Sequence, residues 1–325
     1  MNHMRAYGWL LILIAACSCQ SGADKKKGVP VIGFVDAFED NTIAQAKTGF
    51  IAALQKNGFS EKDHTVEIIY RNAQGNIPTL TQIVKYFIAE KVDLIASSPS
   101  LSTITAIQNT HEIPVFMMVA PEPQLMKVID AQGKAPANLL GVGENLEYID
   151  TSFALIPQLV KPKKDVLTVG MIYNQSEPQS TEALDRIKAL ADKLHINMIS
   201  LPVNTSADVQ LVTRSLLNKG IDAFFANPDN TVFASFETII KACNEAKVPV
   251  FTSEAGLVTR GAVAAYGADI YQWGYQAGEQ AAQFLKQKSA AGMTWQMVQV
   301  RKRVYNPTAA RQFNISVPAN FEPVQ

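Results

Sequence analysis

From Val29 onward, short runs rich in β-branched residues alternate with longer segments of helical periodicity. This alternation is typical of α/β domains, in which each strand is followed by a helix that crosses back over a parallel sheet. The pattern runs through one set of strand–helix units, becomes irregular over 132–138, and then starts again. We therefore predict an α/β protein with two doubly wound parallel-sheet lobes.

The predicted strands of the first half lie at 31–35, 65–70, 92–96, 114–119 and 139–142. Those of the second half lie at 168–173, 197–202, 223–226, 248–252, 262–266 and 296–300. In open parallel sheets a ligand lies beyond the carboxyl ends of the strands. The loops that follow the strands are therefore where binding residues are expected.

These loops are rich in carboxylates, amides and hydroxyls. The candidate ligand-binding residues are Asp36, Phe38, Asn72, Gln74, Ser98, Ser100, Asn174, Asp229, Asn230, Thr231, Glu254 and Asp269. Acidic and amide oxygens accept hydrogen bonds from an ammonium group, and N–H groups at helix starts bind a carboxylate, so the set matches an amino acid. The alternative for any single Ser, Thr, Asn or Asp is that it caps the following helix.

Within this set, two more specific roles are predicted. Asp229, Glu254 and Asp269 follow three separate strands, and a buried ammonium needs such acceptors. Phe38 is a large apolar residue in an otherwise polar loop, so it is the candidate wall for an apolar ligand group; the alternative is that it packs beneath its own loop.

Charge and motif content exclude several functions. Lys plus Arg and Asp plus Glu both number 29, and this balance argues against a nucleic-acid partner. His64, His111 and His195 precede strands, at the face opposite the expected cleft, so no nucleophile–base pair can be assembled there. No Gly-rich phosphate loop or metal-ligand spacing occurs. We expect no enzyme activity, no cofactor and no metal.

The N-terminus predicts export. Arg5 precedes the apolar run 9–16, which is far shorter than the roughly 20 residues needed to span a bilayer, as in a signal peptide. The segment Ile14-Ala15-Ala16-Cys17 resembles a bacterial lipobox, in which the cysteine is acylated. Cys19 is a rival acylation site, and an ordinary secretory signal is the other alternative. We predict a signal peptide over 1–17 ending at the lipidated Cys17, then a flexible tether over 18–30.

Several segments resemble the ABC-transporter substrate-binding proteins of the tryptophan/tyrosine-binding type, a branch of the type I periplasmic binding-protein superfamily. The most specific are Asn72-Ala73-Gln74-Gly75, Asp229-Asn230-Thr231-Val232 and Tyr266-Gly267-Ala268-Asp269-Ile270-Tyr271. The resemblance covers about 31–317. It implies two hinged lobes joined by three crossovers, an N-terminal lobe of 31–140 plus 268–292 and a C-terminal lobe of 141–267 plus 293–325.

The resemblance also implies the function. The expected protein is an extracytoplasmic lipoprotein, monomeric and anchored to a membrane by lipid. It would capture a small amino-acid-like ligand, with apolar or aromatic ones favoured, between its lobes and deliver it to an ABC permease in the inner membrane. The alternative is a ligand-sensing receptor domain that signals through a partner membrane protein.

Overall fold

The computed structural model describes residues 28–324; the predicted signal peptide, Cys17, Cys19 and most of the predicted tether lie outside them. The first elements in chain order are β1 (Val31–Asp36), α1 (Ala44–Lys56), β2 (Glu67–Asn72), α2 (Ile77–Ala89), β3 (Leu94–Ser98), α3 (Ser100–Asn109), β4 (Val115–Pro121) and β5 (Leu139–Glu144).

The remaining elements are α4 (Glu147–Phe153), α5 (Ile156–Leu159), β6 (Thr168–Asn174), α6 (Pro178–Lys193), β7 (Asn197–Val203), α7 (Val209–Leu217), β8 (Ala223–Ala226), α8 (Asn230–Ala234), α9 (Phe236–Glu245), β9 (Val250–Thr252), α10 (Ala255–Thr259), β10 (Ala264–Ala268), α11 (Ile270–Gln287), β11 (Gln296–Met297), β12 (Arg301–Tyr305), α12 (Pro307–Gln312) and β13 (Glu322–Pro323).

The first lobe is built on a parallel sheet of six strands in the order β11-β5-β4-β3-β1-β2. Every residue of β1 is buried because helices cover both faces of the sheet. Ile32 and Phe34 pack with α1 and α11, while Val31 and Val35 point to the other face and pack with α2 and α3. This period of two explains why the strand reads as a continuous apolar run.

The second lobe contains a parallel sheet of four strands in the order β7-β6-β8-β9. One face packs with α4 and α6 through residues such as Phe153 and Ile187. The other packs with α7 and α9 through Leu216 and Phe236. The predicted fold class, α/β with doubly wound parallel-sheet lobes, is confirmed.

The end of the chain differs from the prediction. Only the first two residues of the predicted strand 296–300 form a strand, β11, which pairs with β5 in the first sheet. Strand β12 follows at 301–305, beyond the predicted strand, and pairs with β10. Strand β10 is antiparallel to β12 and belongs to a small three-stranded sheet with β13. The six-stranded sheet therefore takes in 139–144 and 296–297, which extend past the predicted lobe limits at 140 and 292.

The chain passes between the lobes at three places: after β5, between β10 and α11, and between β11 and β12. Both central sheets have their carboxyl strand ends beside these three crossovers.

Within residues 28–324, no helix combines the length and the hydropathy needed to cross a membrane.

Candidate functional site

A cavity of about 40 Å³ lies between the lobes, at the carboxyl ends of both sheets. Its walls come from the start of α3, the ends of β4 and β5, α4, α6, α8 with the loop before it, the loop after β9, and α11. The lining residues are Ser100, Val119, Ala120, Pro121, Glu144, Leu146, Tyr148, Gln179, Pro228, Asp229, Asn230, Phe233, Glu254 and Trp273. The predicted residues among them are Ser100, Asp229, Asn230 and Glu254.

Asp229 is buried and uses both carboxylate oxygens within its own lobe. Its Oδ1 accepts the Val232 N–H at 3.0 Å and so caps α8. Its Oδ2 accepts the Asn174 N–H at 2.6 Å and the Ser180 hydroxyl at 2.5 Å. Capping, the alternative weighed for such residues, is therefore what Asp229 does in this structure, and its carboxylate holds the β8–α8 loop against the end of β6.

Glu177 sits beside Asp229 and was not among the predicted residues, although it shares a loop with Asn174. Its Oε2 accepts from the Asn230 N–H at 3.0 Å and from the Asn230 amide at 2.8 Å. Its Oε1 accepts the Thr231 hydroxyl at 3.2 Å. Burial, with the added repulsion of Asp229, raises the pKa of Glu177 to about 8. Predicted Asn174, Asn230 and Thr231 are thus brought together around this carboxyl group.

Glu254 lies at the carboxyl end of β9 and faces the cavity. Its side chain is buried, and its Oε1 accepts the Tyr148 hydroxyl at 2.6 Å. Burial raises the pKa of Glu254 to about 7, and the neighbouring charge of Glu144 acts in the same direction. A cation placed in the cavity would favour the ionised form of this carboxyl group.

Glu144 ends β5 and is a cavity residue that the sequence analysis missed. It is 1% exposed, and its two oxygens accept from Arg301 at 2.6 and 3.1 Å. Burial raises the pKa of Glu144 to about 7, although Arg301 opposes the shift. Glu144 lies two residues beyond the predicted strand 139–142, so the rule that ligands lie beyond strand ends also points to it.

The apolar part of the wall is formed by Val119, Pro121, Leu146, Phe233 and Trp273. Trp273 is fixed because its indole N–H donates to the Val142 carbonyl at 2.7 Å. These side chains provide the apolar surface that was predicted for Phe38.

No Lys, Arg, His or Cys lines the cavity among the described residues. Residues 28–324 also contain no cluster of His, Cys, Asp or Glu able to hold a metal ion.

Five predicted residues of the first lobe lie outside this lining: Asp36, Phe38, Asn72, Gln74 and Ser98. Asp36 and Ser98 are buried partners in the β1–β3 register, and burial raises the pKa of Asp36 to about 6. The Asn72 amide donates to the Phe38 carbonyl at 3.0 Å, and the Phe38 ring faces Gly75. Gln74 is exposed.

Asp269 lies at a crossover rather than in the cavity lining. Its Oδ1 accepts the Gln272 N–H at 3.1 Å and caps α11. Its Oδ2 forms an ion pair with Lys302 Nζ at 2.5 Å. Both oxygens therefore hold the hinge between β10 and α11.

Two lobes built on parallel sheets, with a cavity between their strand ends and three crossovers beside it, define the fold of the type I periplasmic binding proteins. Residues 29–322 match the family described as ABC transporter substrate binding protein. The chain belongs to this family. It is therefore an extracytoplasmic substrate-binding protein of the ABC-transporter type and not an enzyme, and the resemblance noted in the sequence is confirmed.

Three similar proteins illustrate the relationship. The tyrosine-binding protein of Clostridioides difficile is 33% identical over 258 residues, which cover 79% of this chain and 73% of that protein. The ABC domain in complex with L-Trp from Streptococcus pneumonia has a TM-score of 0.82 at 22% identity, with 91% and 100% of the chains covered. The ligand-free, open structure of a substrate-binding protein with adhesive properties from Clostridium difficile has a TM-score of 0.67 at 28% identity, with 91% and 99% covered.

Proposed function

We propose that this chain captures an amino acid with an apolar or aromatic side chain in the cavity between its lobes and delivers it to an inner-membrane ABC permease. The observation that carries the proposal is the composition of the lining. The buried carboxyl groups of Glu144, Asp229 and Glu254 line the same cavity as an apolar wall, and no basic side chain of the described residues 28–324 lines it. A ligand that carries both an ammonium group and an apolar group is complementary to this lining.

In the proposed binding mode, Glu254 accepts the ligand ammonium while Tyr148 keeps the carboxyl group in place. Ser100, at the first turn of α3, and Asn230 also line the cavity and are assigned to the ligand carboxylate. Asp269 is not assigned to the ammonium because it is engaged by Lys302 and by α11. The names of two similar proteins, tyrosine-binding in one case and an L-Trp complex in the other, support the same ligand class.

Ligand entry requires the lobes to separate. The cavity of about 40 Å³ is much smaller than the roughly 300 Å³ or more of typical small-molecule sites. The three crossovers beside the cavity are the segments about which the lobes would rotate. Capture would then consist of binding in an open cleft followed by closure over the ligand.

The proposal is tested by calorimetric titration of the purified protein with single amino acids. L-Tyrosine, L-tryptophan, L-phenylalanine and L-leucine are expected to bind more tightly than L-aspartate, L-lysine or glucose. Glu254→Gln is expected to weaken binding by about 2–5 kcal/mol, because one partner of a buried charge pair is removed. Gln74→Ala, at an exposed position away from the cavity, serves as the control. Preferential binding of an acidic amino acid or of the sugar would refute the proposed ligand class.

We further propose that the chain is monomeric and is anchored to a membrane by lipid on Cys17. The support is the lipobox-like Ile14–Cys17 segment, followed by a short polar stretch containing Lys25 to Lys27. Anchoring would keep the binding lobes close to the permease, which raises their effective concentration at its surface.

A further inference from the structure

An ion pair joins the two lobes outside the lining of the cavity. Asp40 lies in the loop between β1 and α1 of the first lobe, and Arg260 directly follows α10 of the second. The guanidinium Nη1 lies 2.7 Å from Asp40 Oδ2 and donates to the Thr42 hydroxyl at 3.1 Å. The side chains of Arg260 and Asp40 are 14% and 2% exposed, so the pair is shielded from solvent.

The second lobe holds Arg260 in position through three other hydrogen bonds. Nε and Nη2 donate to the Glu237 carboxylate at 2.8 and 2.9 Å. Nη2 also donates to the Phe233 carbonyl at 2.9 Å. A guanidinium has five N–H donors, and here three are used within the lobe while two point across to the other lobe. Arg260 is therefore oriented by its own lobe, independently of contact with the first.

The first lobe presents a preformed partner. Asp40 Oδ1 accepts the N–H groups of Thr42 and Ile43, each at 2.9 Å, which leaves Oδ2 for Arg260. Ile43 is 1% exposed and packs in the apolar cluster of the second lobe. The Thr42 methyl group lies so close to Gly256 that any side chain at 256 would overlap with it. The contact between the β1–α1 loop and the second lobe thus combines an ion pair, a buried apolar side chain and a close fit between Thr42 and Gly256.

We propose that Arg260 is a positioning residue for ligand capture, because it latches the β1–α1 loop of the first lobe onto the second when the lobes close. Separation of the lobes would break the two crossing hydrogen bonds and expose Ile43. The latch therefore favours the closed arrangement, and any ligand that binds between closed lobes gains affinity from it. This inference rests on the proposed function only in taking the cavity as the ligand site.

The first test compares Arg260→Met with Arg186→Met. Arg186 makes a comparable two-bond pair with Asp150, at 2.6 and 2.8 Å, but both residues lie in the second lobe. Arg260→Met is expected to weaken L-tyrosine or L-tryptophan binding by at least about fivefold, mainly through faster dissociation. It is also expected to increase the radius of gyration of the ligand-free protein in small-angle X-ray scattering. Arg186→Met should change neither quantity.

The scattering measurement tests the contact between Asp40 and Arg260 independently of which ligand the protein binds. If the wild type binds none of the amino acids, the proposed function fails, while the latch is still judged by the radius of gyration. An Arg260→Met protein with the wild-type radius and the wild-type affinity would overturn the latch.

A second test traps the contact directly. A Cβ at position 256 would lie 3.3 Å from Thr42 Cβ, close to the separation of about 3.5–4.5 Å found in disulfides. Thr42→Cys/Gly256→Cys, in a chain whose Cys17 and Cys19 are replaced by serine, is expected to form a disulfide on oxidation and to lose exchange of ligand with solution. The remaining thiol, Cys243, is buried. A well-folded double variant that stays reduced would contradict the proposed lobe contact.

Discussion

In the described part of the chain, the buried acidic side chains of Glu144, Glu177, Asp229 and Glu254 lie around the cleft, and each has different hydrogen-bond partners. Burial of an unpaired carboxylate costs several kcal/mol, so each needs compensation. Glu144 is paired with Arg301, Glu254 is bonded to the Tyr148 hydroxyl, and Asp229 and Glu177 accept N–H groups around the start of α8. Within the described residues, the Glu254 carboxyl group is bonded to a single neutral hydroxyl, whereas Asp229 and Glu177 each accept several hydrogen bonds and Glu144 is paired with a guanidinium. Glu254 is therefore the carboxyl group whose ionisation depends most on a ligand cation.

The raised pKa of Glu254 makes the free energy of unfolding depend on pH. Its pKa is raised from 4.5 to about 7 in the folded protein, so the folded state holds a proton between these values that the unfolded state releases. The contribution of Glu254 to the free energy of unfolding is therefore full below pH 4.5 and is lost as the pH rises through 7. Glu254→Gln stays neutral at every pH and is expected to gain stability relative to wild type between pH 5 and pH 8, on the order of 2–3 kcal/mol.

Urea unfolding of the ligand-free proteins at several pH values measures this gain. Glu182→Gln, at an exposed position on α6, is the control and should parallel the wild type across the range. Equal pH slopes for Glu254→Gln and wild type would show that Glu254 is already ionised in the folded protein.

At the level of single residues, the sequence predicts the polar loops beside the cavity but not the aromatic residues that line it. Asp229, Asn230 and Glu254 were found because strand ends can be located from apolar runs. Tyr148 and Trp273 lie on helices, and whether a helical aromatic faces a core or a cleft depends on packing that the helical period alone does not specify. Phe38 was predicted to contact the ligand, but it lies outside the cavity lining and its ring packs against Gly75. An apolar residue in a loop fits either role, so the sequence alone does not choose between them.

Among the elements, α1 and α11 are packed unusually closely. Side chains at Gly49 and Gly274 would each overlap with a backbone carbonyl of the other helix, those of Tyr271 and Ala46 respectively. Gly278 is similarly close to Phe50 on α1. Since α11 follows the crossover capped by Asp269, this contact fixes the hinge end of α11 on the first lobe.

We expect Gly274→Ala to destabilise the protein by about 1–3 kcal/mol, the usual cost of overpacking. The substitution should otherwise stabilise a helix by about 1 kcal/mol, so a net loss would show that close approach outweighs helix propensity. Urea unfolding at constant pH measures the effect. Gln283→Ala, on the exposed side of α11, is the matched control and should be neutral or slightly stabilising. A Gly274→Ala variant more stable than wild type would mean that the helices can separate without cost.

The buried strands, including β10, were predictable, whereas β12 and β13 of the small sheet were not. Central strands such as β1 are buried on both faces and form apolar runs that identify them. Strand β12 contains Arg301, Lys302 and Arg303 and has a single buried residue, so it lacks that signal. The antiparallel pairing of β10 with β12 is likewise a long-range contact that no local pattern reports.

On the scale of the whole molecule, two ion pairs tie the crossovers together. Glu144, the last residue of β5, is paired with Arg301, and Asp269, before α11, is paired with Lys302. Arg301 and Lys302, the first residues of β12 after the third crossover, thus form ion pairs beside the other two crossovers. Rotation of the lobes must therefore move all three segments together. The two halves could be predicted from the strand–helix pattern, but the number of crossovers came from the family resemblance alone.

Acylation of Cys17 would decide whether the protein is attached to a membrane. Acyl chains on a cysteine stabilise membrane binding by about 0.8 kcal/mol per buried methylene, so a lipidated Cys17 would hold the protein at a membrane, and an alanine there cannot be acylated. Cys17→Ala is expected to move the protein from the membrane to the soluble fraction after cell lysis and centrifugation. Cys19→Ala is the matched control and should leave it in the membrane fraction. Release by Cys19→Ala alone would assign the lipid to Cys19, and retention of both variants would mean that neither cysteine is the anchor.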